Sequence, residues 1–300
     1  MKIYTPQISW HDRQPILSVD IQNRLLAKED NSLFYRLATG GNDSRVNIWK
    51  ISLNSNVLNS KKPIESIDCL AELTQHQRSV NIVRFSPNLE DNLLASGDDD
   101  SLIFVWKLFD KDGNSKNNET GKNQVKRECF DNLDFDAISL EIWKPFKILR
   151  GHSQDVTDLS WSKDGQKIVS GSVDNNVYVW DVQRAAKLHK VEKEHLGYVQ
   201  GVAWDPLNKY ITSLSADRNM LIFDVKSGKT IHRVYKITNG ENEKKTSSKL
   251  FYDQTLMSFC RRLSFSPGGE LLFAPSGIYE TSPDEYKNTV YVFERNSLNK

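Results

Sequence analysis

Short runs in which apolar and polar residues alternate, broken by turn clusters, fill most of this 300-residue chain. Val46-Asn47-Ile48-Trp49, Leu102-Ile103-Phe104-Val105-Trp106 and Val177-Tyr178-Val179-Trp180 are rich in β-branched and aromatic residues and predict strands. Ser86-Pro87-Asn88, Lys163-Asp164-Gly165 and Asp205-Pro206-Leu207-Asn208 carry the chemistry of turns. Helical periodicity is weak throughout, so the pattern predicts an all-β protein.

The strands recur in register. Asp43, Asp100, Asp174 and Asp217 are each followed six residues later by Trp49, Trp106, Trp180 and Phe223. Four residues before each Asp stands a hydroxyl: Thr39, Ser96, Ser170 and Ser213. Upstream of each lies His11, His76, His152 or His195. Val80, Val156 and Val199 follow the last three histidines by four residues, and Phe85, Trp161 and Trp204 come five further on. The unit from Arg150 to Asp181 is the cleanest copy. Units of about 40 residues with four short strands match the spacing of WD40 repeats, and radial repetition of such sheets gives a β-propeller. The repeats fall at about 1–50, 67–107, 145–182, 189–225 and 230–294. The fifth is degenerate, with Leu256 where His is expected and Ile278 where Asp is expected. About five blades are therefore expected, of a seven-bladed ring if the chain is an N-terminal fragment; a closed five-bladed ring is the alternative. Two polar stretches, 108–140 and 238–249, interrupt the pattern and are expected as surface loops, with the apolar end of the first packing back on the body.

A His, a hydroxyl and an Asp in one unit suggest a catalytic triad, but a nucleophilic site is assembled once, in a pocket with an oxyanion hole. Four copies, each with a closing aromatic, point to structure. The Asp accepts from the His, the hydroxyl links His to the indole N–H, and no buried donor is stranded. The expected networks are His11, Thr39, Asp43 and Trp49; His76, Ser96, Asp100 and Trp106; His152, Ser170, Asp174 and Trp180; and His195, Ser213 and Asp217, where Phe223 lacks the N–H donor. No catalytic residue is expected.

Composition narrows the classes further. The formal net charge is +1, without the basic excess of a nucleic-acid binder, so no direct DNA contact is expected. No apolar run approaches a membrane span, and no signal-peptide core opens the chain. Three scattered cysteines, Cys69, Cys129 and Cys260, fit free thiols in a reducing compartment. No metal-ligand spacing or phosphate-binding glycine loop appears, so no metal, cofactor or small-molecule ligand is expected. Loop residues on one propeller face are the candidates for partner binding: Arg78, Asp155 and Tyr198. Arg261 and Arg262 are the sharpest pair. Either Arg262 forms a local ion pair and Arg261 is solvated, or both meet an acidic surface on a partner.

Several segments go beyond a generic repeat. Trp10-His11-Asp12 with Pro15 to Asp20, Arg36 to Asp43, Val80 to Pro87, Leu94 to Asp100 and Leu149 to His152 resemble the WD40 histone-chaperone family that includes HIRA and the mid-sized subunit of chromatin assembly factor 1. Tyr198 to Pro206, Met257 to Pro267, Leu271 to Gly277 and Asn288 to Phe293 are more similar to the chromatin assembly factor branch. That resemblance implies a nuclear, non-catalytic scaffold subunit of a complex that deposits histones H3–H4 on newly replicated DNA. The implied partners are the large and small subunits of chromatin assembly factor 1, with histones and a donor chaperone reached through the complex. A HIRA-type subunit and a WD40 substrate receptor of a ubiquitin ligase are the alternatives. In a complete ring Ile3 to Trp10 would pair with the last blade.

Overall fold

A computed structural model describes residues 11–23, 26–27, 33–54, 64–88, 90–109, 140–239, 246–282 and 285–298. Among them the regular structure is β-strand, apart from one 3-10 turn at Arg295–Ser297. Ile3 to Trp10, Cys129 and most of the polar stretch 108–140 lie outside the described residues.

The strands form five antiparallel sheets in chain order, plus a small hairpin. The first runs Ile16–Ile21, Leu33–Gly41, Val46–Leu53 and Ile64–Leu73, with Leu26–Ala27 added beside the second strand. The second holds Val80–Phe85, Leu93–Asp98, Leu102–Phe109 and Ile142–Arg150. The third holds Val156–Trp161, Lys167–Ser172, Val177–Asp181 and Ala186–Val191, and the fourth Val199–Trp204, Tyr210–Ser215, Met220–Asp224 and Thr230–Val234. The fifth has three strands, Ser264–Phe265, Leu271–Ser282 and Glu285–Glu294. Sequence repeat and sheet are out of phase by one strand. Ile64–Leu73 and Ile142–Arg150 overlap the starts of the second and third repeats, yet they close the first and second sheets. The second polar stretch is also more ordered at its ends than a loop, because Lys236–Asn239 pairs with Thr246–Lys249.

Each sheet packs face to face on the next, as sheets with one apolar face require. Ala38 and Ile48 meet Val83 and Leu94; Ile82 and Ile103 meet Leu159 and Ile168; Val169 and Val177 meet Val202 and Ile211; Leu214 and Ile222 meet Leu263 and Leu272. The innermost strand of each of the first four sheets carries a register shift at the same place: Ile16/Ser18, Val80/Ile82, Val156/Asp158 and Val199/Gly201. Such a bulge bends and twists the strand. Close approach across sheets is allowed by Gly40, Gly97 and Gly171, which lie within strands rather than turns. A Cβ there would sit 2.8, 2.7 and 2.6 Å from a methyl of Val80, Val156 and Val199 respectively.

Side chains of the inner strands also bond the neighbouring sheet. Ser18 Oγ and Asp20 Oδ2 accept the N–H groups of Val83 (3.1 Å) and Phe85 (2.7 Å). Asp158 Oδ2 and Ser160 Oγ repeat this toward Val202 (2.9 Å) and Trp204 (3.0 Å). At the return of the long polar stretch, Arg36 holds Glu141 with both Nε and Nη2 (2.9 and 2.6 Å), and the Trp143 indole donates to the same carboxylate (3.0 Å). Leu140 and Glu141 N–H groups both donate to the Leu70 carbonyl, so this end is fixed to the first sheet.

Candidate functional site

The four histidines each sit between the turn that enters a sheet and the second and third strands of that sheet. In the third sheet His152 Nδ1 donates to Asp174 Oδ2 (2.9 Å), Ser170 Oγ donates to His152 Nε2 (2.7 Å), and Trp180 Nε1 donates to Ser170 Oγ (2.8 Å). The carboxylate can only accept and the indole can only donate, which fixes the imidazole tautomer and the direction of the relay. The first sheet has the same arrangement: His11 with Asp43 and Thr39 at 2.8 Å each, and Trp49 on Thr39 at 2.7 Å. In the fourth, His195 meets Asp217 (3.2 Å) and Ser213 (2.7 Å), and Phe223 fills the place of the indole.

The second sheet corrects the sequence reading. His76 Nδ1 donates to Asp98 Oδ2 at 2.6 Å, not to Asp100, while Ser96 and Trp106 occupy their expected places (2.6 and 2.8 Å). Asp98 ends the second strand, where the third and fourth sheets have Ser172 and Ser215. Those serines accept the amide of Asp174 or Asp217. Asp98 does both tasks at once: Oδ1 accepts the N–H groups of Asp100 (3.0 Å) and Leu102 (2.9 Å) while Oδ2 takes the histidine. Asp100 is left at the surface, 3.7 Å from exposed Arg78, an ion pair that solvent screens.

These groups are unsuited to nucleophilic chemistry. Ser96, Ser170 and Ser213 are wholly buried, and the first two already accept an indole N–H. Burial and neighbouring Glu72 push the Cys69 thiol up to about 11, and burial also raises Cys260, so neither is an activated thiolate. Among the described residues no group of three or more His, Cys, Asp and Glu is placed to hold a metal, and no helix is long and apolar enough to cross a membrane.

The relay has measurable consequences. Trp180→Phe removes the donor to Ser170 and keeps most of the apolar volume, so it should cost about 1–2 kcal/mol in urea unfolding. An unchanged midpoint would mean that the indole bond contributes nothing. Acidity should also destabilise. Burial holds the His152 imidazole below its ordinary 6.5 despite the pull of Asp174. Burial acts to raise Asp217, but the bonds from His195, Leu196 N–H and Asn219 N–H outweigh it and lower the carboxyl from 3.8 to about 2. Both folded pKa values lie below the unfolded ones, so the unfolded chain binds more protons and stability rises with pH and is lost as pH falls. The His152 share is complete above 6.5 and is lost below it; the Asp217 share is complete above 3.8 and is lost toward about 2. Urea midpoints at about pH 7.5, 5.5 and 3.5 test this, and equal values at the first two would contradict the histidine part.

The loop residues proposed for partner contact divide. Arg78 and Tyr198 are exposed, and Asp155 is half-buried beside Asp98, Asp99 and Asp100, whose charges add to burial in raising its carboxyl. Arg261 overturns both sequence expectations. It is 0% exposed, neither solvated nor free to meet a partner. Its guanidinium donates to the Tyr252 and Asp253 carbonyls, and its own N–H donates to Gln200 O (2.8 Å). Arg262 donates from Nη2 to Asn81 O (2.9 Å) and lies 3.6 Å from Asp158, so it joins the fifth sheet to the second and third rather than facing outward. Gln200 and Asp98 are the residues that spacing alone did not single out. Gln200 lies at the place of Asn81 and Thr157 in a repeat, which offers no hint that its Nε2 holds Ser258 O and Phe259 O (2.7 and 3.2 Å).

Comparison with known proteins agrees with this geometry. A family model described as the CAF1B/HIR1 beta-propeller domain matches residues 1–300. One chromatin assembly factor 1 subunit, that of Mus musculus, is 38% identical over all of this chain and 48% of its own length. Its counterpart in Saccharomyces cerevisiae is 36% identical over 97% of this chain and 62% of its own length. The HIRA homolog of Drosophila melanogaster is 36% identical over 61% of this chain and 15% of its own length. The chain spans about half the length of the mouse and chicken relatives. With a propeller model matched from end to end and sheets that repeat one buried relay, the chain belongs to the CAF1B/HIR1 β-propeller family.

Proposed function

We propose that this chain is a non-catalytic scaffold in a nuclear chromatin assembly complex that deposits histones H3–H4 on newly replicated DNA. The observation that carries the reading is the extent of similarity. Relatives named as subunits of chromatin assembly factor 1 align over 97–100% of the chain in mouse, chicken and Saccharomyces cerevisiae and over 65% in Schizosaccharomyces pombe, whereas HIRA proteins of fruit fly and maize align over 58–61%. The sealed relays support a scaffold, because they commit the repeated His and hydroxyl side chains to bonds within the fold.

Under this reading the partners are the large and small subunits of the complex, with histones and a donor chaperone reached through them. Affinity purification of the full-length protein tests it. Recovery of a large, charged chaperone subunit together with H3–H4 is the expected result; recovery of a HIRA-type assembly or of cullin adaptors instead would overturn it.

The five sheets are also proposed to be part of a seven-bladed ring. Leu17, Val19 and Ile21 on the first sheet, and Phe273, Val290 and Val292 on the fifth, are 37–55% exposed and face away from their neighbours. Among the described residues no core cluster joins the first sheet to the fifth. A protein of the relatives' length should bind an apolar dye much less strongly than residues 1–300; equal binding would favour a closed five-bladed body.

A further inference from the structure

We propose that the loop face of the fourth and fifth sheets is a docking site for a peptide segment of a partner protein that carries a bulky apolar side chain flanked by Lys or Arg. Two segments form it. The turn after His195 presents Leu196, 82% exposed, and Tyr198, 49% exposed. The stretch from Tyr252 to Leu263 presents Met257, 101% exposed, and Phe259, 47% exposed. Single apolar side chains on a surface are ordinary; four large ones on two joined segments are not.

The second segment contains no strand, yet it is held from beneath. Arg261 binds the carbonyls of Tyr252 and Asp253, and Gln200 binds those of Ser258 and Phe259. Ser258 Oγ donates to Cys260 O (2.8 Å). Arg218, adjoining the Asp217 that caps Leu196 N–H (2.8 Å), is paired with Asp253. A loop fixed in this way presents Met257 and Phe259 with little conformational entropy left to lose on binding. Gln200 is 7% exposed, and its Oε1 has no hydrogen-bond partner although its Nε2 has two.

Charge selects the occupant. The loops of the second and third sheets place Asp98, Asp99 and Asp100 close enough to Asp155 for their charges to act on its carboxyl. The arginines of this face are engaged elsewhere: Arg78 with Asp100, Arg218 with Asp253, and Arg262 with Asp158 and Asn81 O. Asp99 accepts a neutral amide, from Asn81 at 2.6 Å. Asp99 and Asp155 have no arginine partner among the described residues, and Thr157, two residues after Asp155, donates from Oγ1 to the carbonyl of Val199 beside Tyr198 (2.5 Å), so these two carboxylates adjoin the apolar side chains and favour a basic segment over an acidic one.

Docking of this kind would rest on the loop face alone, whichever assembly the chain serves, so its test uses no complex. Three labelled peptides on the order of twelve residues are titrated into the full-length protein by fluorescence anisotropy. One has a Leu–Trp pair flanked by lysines, one has the same pair flanked by glutamates, and one has lysines with serines in place of the pair. The lysine–apolar peptide should bind tightest. Met257→Ser with Phe259→Ser should weaken it at least about tenfold. Asp99→Asn with Asp155→Asn should weaken it less and flatten its salt dependence. Met257→Ser alone should melt as the parent does, since the side chain is fully exposed, and should still weaken binding. Equal binding of the glutamate peptide, unchanged affinity of the Met257 and Phe259 variants, or no binding by any peptide would each overturn the proposal.

Discussion

Asp98→Ala is expected to destabilise the protein by about 3 kcal/mol, and Asp100→Ala by less than about 0.5 kcal/mol. Asp98 is wholly buried and serves three donors: the His76 ring and the N–H groups of Asp100 and Leu102. Alanine leaves all three without an acceptor, in a place that water does not reach. The loss spreads, because His76 packs edge-on against Phe104 at 4.6 Å and shares Ser96 with Trp106. Asp100 has only its exposed approach to Arg78 to lose. Asp98→Asn should fall between the two, since an amide oxygen can still accept from one side while the charge that favours the His76 contact is gone. Urea unfolding of the three variants decides the matter. If Asp100→Ala were the damaging change, the register inferred from the other sheets would hold after all.

The contrast shows which part of the architecture is legible in the chain. Strand positions follow from alternation, and the hydroxyl-to-aromatic spacing is kept because both residues lie on paired strands, where period and register are rigid. Ser96 and Trp106, Ser170 and Trp180, and Thr39 and Trp49 all meet as their spacing predicts. The Asp that takes the His lies past the end of the strand in the first, third and fourth sheets, and is the strand's last residue in the second. There a run such as Asp98-Asp99-Asp100 offers three carboxylates, and burial, not count, chooses among them. The phase between repeat and sheet is hidden for another reason. Ile64–Leu73 pairs with the strand before it, a choice made by non-local hydrogen bonds that a repeat count cannot express. Arg261 is the deepest case. Adjacent Arg261 and Arg262 look alike in sequence, and only the carbonyls of Tyr252 and Asp253 make one of them a buried pillar.

That pillar rests on a glycine, and Gly201→Ala is expected to cost at least about 3 kcal/mol, more than the same change at Gly40, Gly97 or Gly171. At those three positions an added Cβ would meet a valine methyl at 2.6–2.8 Å, which a side-chain shift can partly relieve. At Gly201 it would lie 2.0 Å from the Arg261 carbonyl oxygen and 2.7 Å from its carbonyl carbon. Both are backbone atoms, so the fourth and fifth sheets must move apart. Separation breaks the bond from Arg261 N–H to Gln200 O and pulls the guanidinium off the Tyr252–Asp253 turn. Arg261→Ala attacks the same junction from the other side by leaving two carbonyls without their donors. The two changes act on one structure, so the double variant should lose less than the sum of the singles. Hydrogen exchange gives the local readout: amides from Tyr252 to Phe265 should lose protection in both variants, while those of Val156–Trp161 should not. A Gly201→Ala protein with parental melting and unchanged exchange would show that the two sheets do not meet there. Loss of protection confined to that stretch would show that the apolar loop face depends on a single buried arginine seated against a residue with no side chain.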